Sequence, residues 1–591
     1  TVNGKSVSDD QTYIVPKTEP AKPSSSSSGG SSHSHSYATA WSYDDTYHWH
    51  AATCGHNVIS GKANHSFIDG VCSVCGQVNP AVTVAKIGDK NYATLTEAIA
   101  AATDGATVTL VKAAETNSLK AGITYDLNGY KLTYTSPDPF SFSGQTMSFI
   151  GGAKGGTLDF PNITSVDSAI NPNAGATLNV SDITVTCNGV AFFPAGNATA
   201  LNITNCDVSS SAYCVGTNAS TVDNYGVIIT LKDSEFAGTA SNGDCTAVMV
   251  NVACKLVIDN CELTAGRQGL IVRAGTATVT NSTIKTTGTY GEKEKYYAVS
   301  WKSGNEVPAA ALTVGNYVAG DANAYLADAI VTLENTKLIG ENSFPALYVD
   351  GNTKHIGKVS IGGDATSVSS TMMKGQQTAE GKVIISITGG TFSSDPTAYV
   401  AEGYKVTRLE DGKYQVVALF AGGTGTAEDP FGIQNAEQFK TFRDNVNAGN
   451  TFAGKTIELT DDIDLSSVEN WVPIGTNTTP FKGVFDGNNK TISNLKITGG
   501  GYIGLFGYIT GGAEIKNVRL AGADVSGSER VGGLVGQIIG NATVANCSID
   551  AASKVTGNDS NTGGLIGAAQ CGGASTISLS SLTNYAAVTN T

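Results

Sequence analysis

Short runs in which apolar and polar residues alternate recur along most of the chain. Their common core is apolar-x-apolar-x-(Asn/Asp)-small-x-apolar, as in L-N-I-T-N-C-D-V around Asn205 and L-V-I-D-N-C-E-L around Asn260. Alternate side chains of a strand lie on opposite faces, so each run predicts two short strands with one buried face. The polar residue between them predicts a bend, because Asn and Asp tolerate the left-handed backbone conformation.

The bend residues are spaced at intervals that predict stacked turns of a coil, here called rungs. Successive steps in the first tract are 23, 28, 27, 21, 54 and 54 residues, and the last two predict intervening rungs of degenerate sequence. A period of about 20 to 30 residues with two strand signals is typical of a parallel β-solenoid. The bend residues are Asp182, Asn205, Asp233, Asn260, Asn281, Asn335 and Gly389, and in a second tract Asn494, Asn517 and Asn546.

Two segments have a helical period instead, and each precedes an array of strands. Each begins with a polar pair at capping spacing, Thr94 with Glu97 and Asn435 with Gln438, which marks a helix N-terminus. A short amphipathic helix in this place would cover the open end of a coil, so two such helices predict two coils. Their apolar faces comprise Leu95, Ala98, Ile99 and Ala102 in the first helix, and Phe439 and Phe442 in the second.

These patterns predict an all-β chain with two parallel β-helix (β-solenoid) domains in tandem. Each domain has a short N-terminal capping helix, and a small His/Cys-rich module precedes both. We read the chain as a fragment of a longer protein, since its repeat pattern runs to the last residue. The predicted boundaries are 1–15 for the end of an upstream domain, 16–40 for a Pro/Ser-rich linker, 41–80 for the module, 81–418 for the first β-helix and 419–591 for the second, truncated one.

Composition narrows the possible functions. Charged residues make up only 15% of the 591 residues, against about 25% in an average soluble protein. The net charge is −15 with 36 Lys plus Arg, which argues against binding to nucleic acid or to anionic lipid. No apolar run is long enough to predict a membrane span.

Three tetrapeptides, G-L-F-G at 504–507, G-L-V-G at 533–536 and G-L-I-G at 564–567, resemble the GLUG repeat of bacterial surface proteins. Residues 84–418 resemble the pectate-lyase-like β-helix domains of large surface proteins from gut Firmicutes, through the opening Y-A-T-L-T-E-A-I and the closing I-T-G-G-T-F-S-S-D-P-T-A-Y-V-A-E-G-Y. The resemblance implies a secreted, cell-surface protein whose export signal and anchor lie outside this segment. It also implies a right-handed coil, as does the general bias of parallel crossovers.

The strongest chemical signal is a group of His and Cys residues between His48 and Gly76. Cys72-x-x-Cys75-Gly has the spacing of a zinc knuckle, and a module with so little apolar content needs a staple to fold. The alternative is a Cys72–Cys75 disulfide or free thiols, with the histidines on the surface. A zinc ion here would be structural, with ligands drawn from Cys54, Cys72, Cys75 and one of His48, His50, His56 or His65.

Two of the remaining cysteines fit the repeat. Cys206 and Cys261 occupy one repeat position with Ser234 on the rung between them. Rungs about 4.8 Å apart would place the two thiols beyond disulfide reach, which predicts small buried stack residues. A disulfide among Cys187, Cys214, Cys245 and Cys254 stays open.

A polysaccharide lyase or hydrolase is the enzymatic alternative for a β-helix. Its chemistry requires a basic side chain beside carboxylates. Arg267 and Arg273 near Glu262 form one such group, which is otherwise a solvated rung edge. A second set, otherwise a polar turn, comprises Asp461, Asp462 and Asp464.

The leading prediction is a non-catalytic, adhesin-like or stalk segment that presents one face to host or microbial glycans or proteins. A passive spacer is the remaining alternative. Aromatic side chains stack on sugar rings, so an aromatic group in one inserted loop is the candidate glycan contact; its alternative is a hydrophobic plug under the loop. The group comprises Tyr290, Tyr296, Tyr297 and Trp301.

Overall fold

A computed structural model describes residues 34–164, 167–217, 226–240, 245–289, 307–315, 327–351, 354–375, 382–558 and 561–591. The described residues up to Val82, together with Asp89–Asn91, form one compact unit, here called the His/Cys module. The rest of the chain forms a second unit. It is almost entirely β-structure arranged in long parallel sheets, which is consistent with a β-solenoid.

Three long sheets, A, B and C, make up the first stack of rungs. Consecutive strands within each sheet are parallel and in register, apart from antiparallel pairs at the two ends. Sheet A contains Ala85–Ile87, Thr107–Leu110, Thr124–Asp126, Thr146–Ile150, Thr177–Ser181, Ala200–Thr204, Ile228–Lys232, Cys254–Asp259, Gly275–Thr280, Ala329–Glu334, Gly357–Gly362 and Val383–Ile387, and the short strand Lys90–Tyr92 lies beside its start.

The other two sheets follow sheet A in every complete rung. Sheet B contains Ala114–Thr116, Lys131–Tyr134, Thr157–Phe160, Thr184–Cys187, Asp207–Ser210, Glu235–Gly238, Glu262–Ala265, Thr283–Thr286, Lys337–Gly340, Ser367–Ser369, Gly390–Phe392, Tyr404–Arg408 and Tyr414–Ala418. Sheet C contains Phe140–Ser143, Ser168–Asn173, Val190–Phe192, Val215–Gly216, Thr246–Val250, Gln268–Val272, Leu312–Val314, Leu347–Val349 and Met372–Lys374.

Four shorter parallel sheets, D to G, make up the second stack. Sheet D contains Phe431–Ile433, Thr456–Leu459, Val484–Asp486, Ala513–Lys516, Ala542–Ala545 and Ile577–Ser580; sheet E contains Ile463–Asp464, Thr491–Ser493, Arg519–Ala521, Ser548–Ile549 and Thr583–Asn584. Sheet F contains Lys496–Ile503, Asp524–Gly532, Lys554–Gly557, Thr562–Gly563 and Ala587–Asn590; sheet G contains Phe506–Thr510, Val535–Ile539 and Ile566–Gln570.

In the central rungs the bend between sheets A and B contains one left-handed residue, and its conformation confirms the prediction from the repeat. Asn205 has φ +53° and Asn260 has φ +53°, the left-handed region that Asn and Asp tolerate best. The amide Nδ2 of Asn205 donates to Asp182 Oδ1 on the previous rung over 2.8 Å, and that of Asn260 donates to Asp233 Oδ1 over 2.7 Å. These side-chain hydrogen bonds join the bend residues of neighbouring rungs in pairs.

One of the two expected degenerate rungs is absent. Gly275–Thr280 pairs directly with Ala329–Glu334, so the 54-residue step from Asn281 to Asn335 is a single rung with long turns on either side of sheet C. The prediction of an intervening rung was wrong there, because an insertion and an extra rung give the same spacing. Between Asn335 and Gly389 the prediction is confirmed, since Gly357–Gly362 pairs with strands on both sides.

The position of Asn494 also differs from the predicted alignment. Asn517 and Asn546 lie at the bend between sheets D and E, whereas Asn494 follows the sheet E strand Thr491–Ser493 and lies at the next bend. It still adopts a left-handed conformation, with φ +59°, and donates through Nδ2 to Asp464 Oδ1 over 2.8 Å. The sequence motif is the same at both bends, so spacing alone did not separate them.

Helices begin at both predicted caps. The first, α1 (Leu95–Ala101), has Thr94 as its N-cap, and Thr94 and Glu97 complete the reciprocal capping box. The second, α2 (Ala436–Asn447), has Asn435 as its N-cap, whose side chain accepts from the backbone N–H of Gln438. Both bury the predicted apolar residues. Short 3₁₀ turns occur at Gly152–Lys154 and Thr397–Tyr399.

Two separate apolar cores fill the two stacks. The first contains stacked Val, Leu, Ile and Phe columns from sheets A to C, and the second is richer in aromatic residues, with Phe485 stacked on Phe442 at a centroid distance of 5.8 Å. Strands of sheets A and B alternate between buried and exposed residues, whereas the sheet C strands Thr246–Val250 and Gln268–Val272 are buried throughout. A third apolar cluster that includes Met249 and Ile271 explains this second buried face.

The three G-L-x-G segments stack on one another between sheets F and G. Leu505 donates its backbone N–H to Gly533 O over 3.1 Å, and Leu534 donates to Leu565 O over 2.9 Å. All three leucines are buried. A Cβ at Gly504 would lie 2.6 Å from Gly532 O, so the neighbouring rung leaves no room for a side chain at that position.

None of the eleven cysteines, all of which lie in the described ranges, forms a disulfide bond. Cys206 and Cys261 are buried, as predicted for stack residues, and burial raises the pKa of each thiol to about 11. Of the helices in the described ranges, none has the length and apolar character needed to cross a membrane.

Candidate metal centre

The His/Cys module has no apolar core in its described residues. Its exposed side chains include Ile59 and Ile68, at 44% and 63% of full exposure. Its buried side chains include His48 (4% exposed) and Cys72 (2% exposed), and no aliphatic or aromatic carbon side chain among the described residues of the module is buried. Hydrophobic burial therefore contributes little to the stability of this unit.

Two antiparallel elements bring the first group of candidate ligands together. The three-stranded sheet Ser42–Tyr43, Tyr47–Ala51 and Ile59–Asn64 supplies His48. The hairpin Phe67–Ile68 and Val71–Cys72 supplies Cys72. Beyond it the chain turns sharply, with Gly76 at φ +75° and its N–H donating to Cys72 O over 2.9 Å.

These elements place His48, His65, Cys72 and Cys75 around one point. Their donor atoms all lie within 4.8 Å of one another. Cys75 Sγ lies 3.4 Å from His65 Nδ1, and Cys72 Sγ lies 3.9 Å from His48 Nδ1. A tetrahedral zinc ion with Zn–S and Zn–N bonds of about 2.3 and 2.0–2.1 Å would hold such a pair roughly 3.6 Å apart. Two thiols and two imidazoles at this spacing are a donor set that a metal ion fits.

The electrostatics of the group favour an ionised thiol. Burial opposes ionisation of Cys72, but backbone hydrogen bonds from Cys75 and Val74 and a side-chain hydrogen bond from His65 lower its pKa to about 5. Burial raises the pKa of Cys75, with the nearby Cys72 thiol acting in the same direction. Burial would lower the pKa of His65, but the hydrogen bonds to Cys72 and to the Asp44 backbone, with the charges of both residues, together raise that pKa. Thiolate is the form that binds metal.

The predicted ligands divide between two groups. His65, Cys72 and Cys75 share the first group with His48. Cys54 and His56 lie instead in a second group with His35, a residue that falls within the predicted linker. The H-S-H sequence that contains His35 was the signal in the sequence from which this ligand could have been predicted.

His50 lies outside both groups. Its ring stacks on Trp41 at a centroid distance of 3.8 Å, and its Nδ1 lies 3.2 Å from Ala40 O. The same indole meets the ring of His48 edge-on at 4.7 Å, so Trp41 helps to position one candidate ligand.

The basic residues considered for lyase chemistry lie beside the sheet C strand Gln268–Val272. Arg273 is fully buried, and Arg267 donates through Nη2 to Val307 O over 2.8 Å. Glu262 begins a sheet B strand and is exposed. Arg267 thus takes part in a contact with the backbone of Val307.

The acidic residues considered for the same chemistry support turns of the second stack. Asp462 Oδ1 accepts from Thr491 N over 2.7 Å, and Asp464 Oδ1 accepts from Ser466 N over 2.9 Å. These contacts match the alternative of a polar turn. Asp461 is exposed.

The chain has two candidate ligand-binding surfaces, and one of them lies outside the described residues. The aromatic residues Tyr290, Tyr296, Tyr297 and Trp301 lie outside the described residues. On the second stack, a polar cleft of about 400 Å³ is lined by residues that include Lys496, Asp524 and Lys554. These three occupy equivalent positions on consecutive rungs of sheet F.

Two known proteins are similar to parts of this chain. A protein described as a Gly-rich membrane protein from Evansella cellulosilytica is 35% identical over 142 residues, which are 22% of this chain and 16% of that protein. Halomucin from Haloquadratum walsbyi is 34% identical over 156 residues, which are 25% of this chain and 2% of halomucin. The chain thus matches only a small part of either relative. No protein-family model matches the chain.

Proposed function

We propose that this chain is a non-catalytic segment of an extracellular cell-surface protein, built as an elongated stalk that presents an adhesin-like face. The observation that carries the proposal is the in-register stacking of rungs through sheets A to C and again through sheets D to G. Rungs that contact only their neighbours extend a structure in one direction. The names of the relatives, a Gly-rich membrane protein and halomucin, support a place at the cell surface.

In finer detail, the two stacks are two right-handed β-solenoid domains in tandem, capped by α1 and α2. The reciprocal capping box of α1 and the buried faces of both helices support this role. The stacked G-L-x-G segments support the resemblance of the second domain to GLUG repeats, and the three-sheet rungs support the resemblance of the first to pectate-lyase-like domains.

A binding screen of the full chain tests the adhesin role. Immobilised mucin, polysaccharides and immunoglobulins are offered to the 591-residue chain, and retained protein is measured. We expect saturable binding to one class. Replacing Tyr290, Tyr296, Tyr297 and Trp301 together by Ala should weaken glycan binding, because these rings would stack on sugars. A matched variant with Lys496, Asp524 and Lys554 replaced by Ala tests the polar cleft instead.

The outcomes separate the alternatives. Absence of binding to every class would leave a passive spacer. Release of unsaturated or shortened products from an offered polysaccharide would contradict the non-catalytic assignment. Binding that neither variant alters would place the ligand surface elsewhere on the chain.

The same proposal includes one structural zinc ion in the His/Cys module, held by His48, His65, Cys72 and Cys75. The donor set, the spacing of the donor atoms and the missing apolar core support it. A bound zinc ion would link the sheet to the hairpin and would supply folding free energy. Metal analysis of the purified full chain should show zinc, and zinc-free protein should have a module sensitive to protease.

A further inference from the structure

The second His/Cys group has the composition of a metal site of its own. His35 Nδ1 lies 3.2 Å from Cys54 Sγ, and Cys54 Sγ lies 3.4 Å from His56 Nδ1. All three donor atoms lie within 4.8 Å of one another. The imidazole rings of His35 and His56 are perpendicular, with centroids 5.2 Å apart. Both sulfur–nitrogen distances are close to the roughly 3.6 Å that two ligands of one tetrahedral zinc ion would have.

Backbone hydrogen bonds fix the segments that carry these ligands. Thr53 N donates to Ser36 O over 2.8 Å, and Ala38 N donates to Ala51 O over 2.8 Å. They hold the segment that contains His35 beside the end of the strand Tyr47–Ala51. The chain then turns back through Gly55, at φ +74°, so Cys54 and His56 approach His35 from one tight turn.

This group differs from the first in being incomplete. Among the described His, Cys, Asp and Glu residues, only His35, Cys54 and His56 contribute donor atoms to it, whereas the first group has four. Its members are partly exposed: His56 is exposed and Cys54 half-buried. Three protein ligands with a fourth position left to solvent are typical of an open metal site.

We propose that His35, Cys54 and His56 form a second metal site, which binds a zinc-class divalent ion and leaves one coordination position for an exogenous ligand. Imidazole and thiolate donors favour such borderline ions over calcium or magnesium. The site shares the module with the proposed structural zinc but uses none of its ligands. It binds its ion more weakly, because one protein ligand fewer holds the metal.

Metal stoichiometry of the full chain tests the proposal. Metal-free protein is titrated with Zn²⁺ against a chromophoric chelator, in anaerobic buffer with a non-thiol reductant. We expect two equivalents of zinc, the second bound more weakly. Cys54→Ser and His56→Ala should each remove the weaker equivalent, and Cys72→Ser should remove the tighter one. Cys571→Ser, which changes an exposed cysteine of the second stack, should leave both.

The variants distinguish failure of this site from failure of the structural site. One equivalent in the unmodified chain that survives Cys54→Ser and His56→Ala would overturn the second site and leave the first. One equivalent that those variants remove and Cys72→Ser does not would overturn the first and leave the second. Absence of zinc binding would overturn both.

Cobalt tests the open position. Co²⁺ bound at the second site should show d–d absorption that changes when imidazole is added, because imidazole fills the fourth position. Co²⁺ at the first site, measured in Cys54→Ser protein, should not respond. A second-site spectrum that is indifferent to imidazole would overturn the open coordination position.

Discussion

The His/Cys module and the stacked sheets differ in the kind of side chain that they bury. In the module the most buried side chains include two candidate metal ligands, His48 and Cys72, while Ile59 and Ile68 are exposed. In the stacks, Val, Leu, Ile and Phe from successive rungs fill continuous cores. A unit that buries so little apolar surface would depend on the proposed zinc ligation, whereas each rung of a coil is stabilised by its neighbours.

The largest expected effect concerns the module. Cys72→Ser in the full chain, or removal of zinc by a chelator, should unfold residues 34–82, because structural zinc contributes about 10–16 kcal/mol of apparent binding free energy in small metal-dependent domains. Hydrogen exchange by mass spectrometry should show lost protection there and unchanged protection in sheets A to G. Cys571→Ser is the control. A module that keeps its protection without metal would show that metal ligation does not stabilise it.

The complementary change tests the second stack. Phe485→Ala should lower the unfolding free energy of that stack by about 3–5 kcal/mol, because it leaves a cavity among Phe439, Phe442 and Phe506. Urea denaturation followed by circular dichroism measures the shift in midpoint. Tyr585→Ala, at a 68% exposed position, should leave the midpoint nearly unchanged. Equal effects of the two would mean that the aromatic core does not hold the stack.

A buried carboxyl makes one part of the first stack dependent on pH. Burial raises the pKa of Asp350 to about 6, although Gly351 N and the Tyr348 hydroxyl donate to it. The folded chain therefore holds a proton that the unfolded chain loses near its ordinary pKa of 3.8. The contribution of Asp350 to stability is therefore greatest below about pH 4, falls as the pH rises towards 6 and then stays level.

Replacing Asp350 by Asn should remove this decline. The amide preserves the shape of the carboxyl and carries no charge, so the variant should be more stable than the unmodified chain at pH 7 by up to about 3 kcal/mol. The two should match near pH 4. Thermal unfolding at both pH values measures the difference. A stabilisation that is equal at both would rule out ionisation as its cause.

The smallest effect is at the bends. Asn260→Ala places an ordinary side chain at φ +53° and removes the 2.7 Å hydrogen bond to Asp233, which should destabilise the first stack by about 1–2 kcal/mol. Asn260→Gly keeps the backbone conformation and loses only the hydrogen bond, so it should cost less. Unfolding midpoints of the two variants separate the contributions. If Asn260→Gly is as destabilising as Asn260→Ala, the hydrogen bond to Asp233 contributes more to stability than the backbone conformation does.

Features that depend on a few neighbouring residues could be predicted from the sequence. The left-handed bends at Asn205 and Asn260 follow from local chemistry, as do the N-caps at Thr94 and Asn435. The long step between Asn281 and Asn335 could not be interpreted in the same way. An insertion and a degenerate rung lengthen the spacing equally, and only strand pairing separates them.

The candidate metal ligands show the same limit of sequence-based prediction. The types and spacing of His and Cys residues indicated a metal site, but they did not say which donors meet. That depends on the register shift between His48 and His50, on Trp41 holding His50 away, and on the backbone contacts that bring His35 to Cys54. Such contacts join residues that are distant in sequence, so local sequence patterns do not predict them.

The short bend between sheets A and B has a consequence for how such a chain diversifies. Bend-to-bend length varies from 21 to 54 residues, yet strands of sheets A and B stay in register across every step. The extra length is taken up in the turns on either side of sheet C. A turn there can be lengthened, shortened or exchanged for another without shifting the rungs above and below. Recombination or engineering can therefore change the surface formed by the turns beside sheet C, while the strand pairing of sheets A and B stays the same.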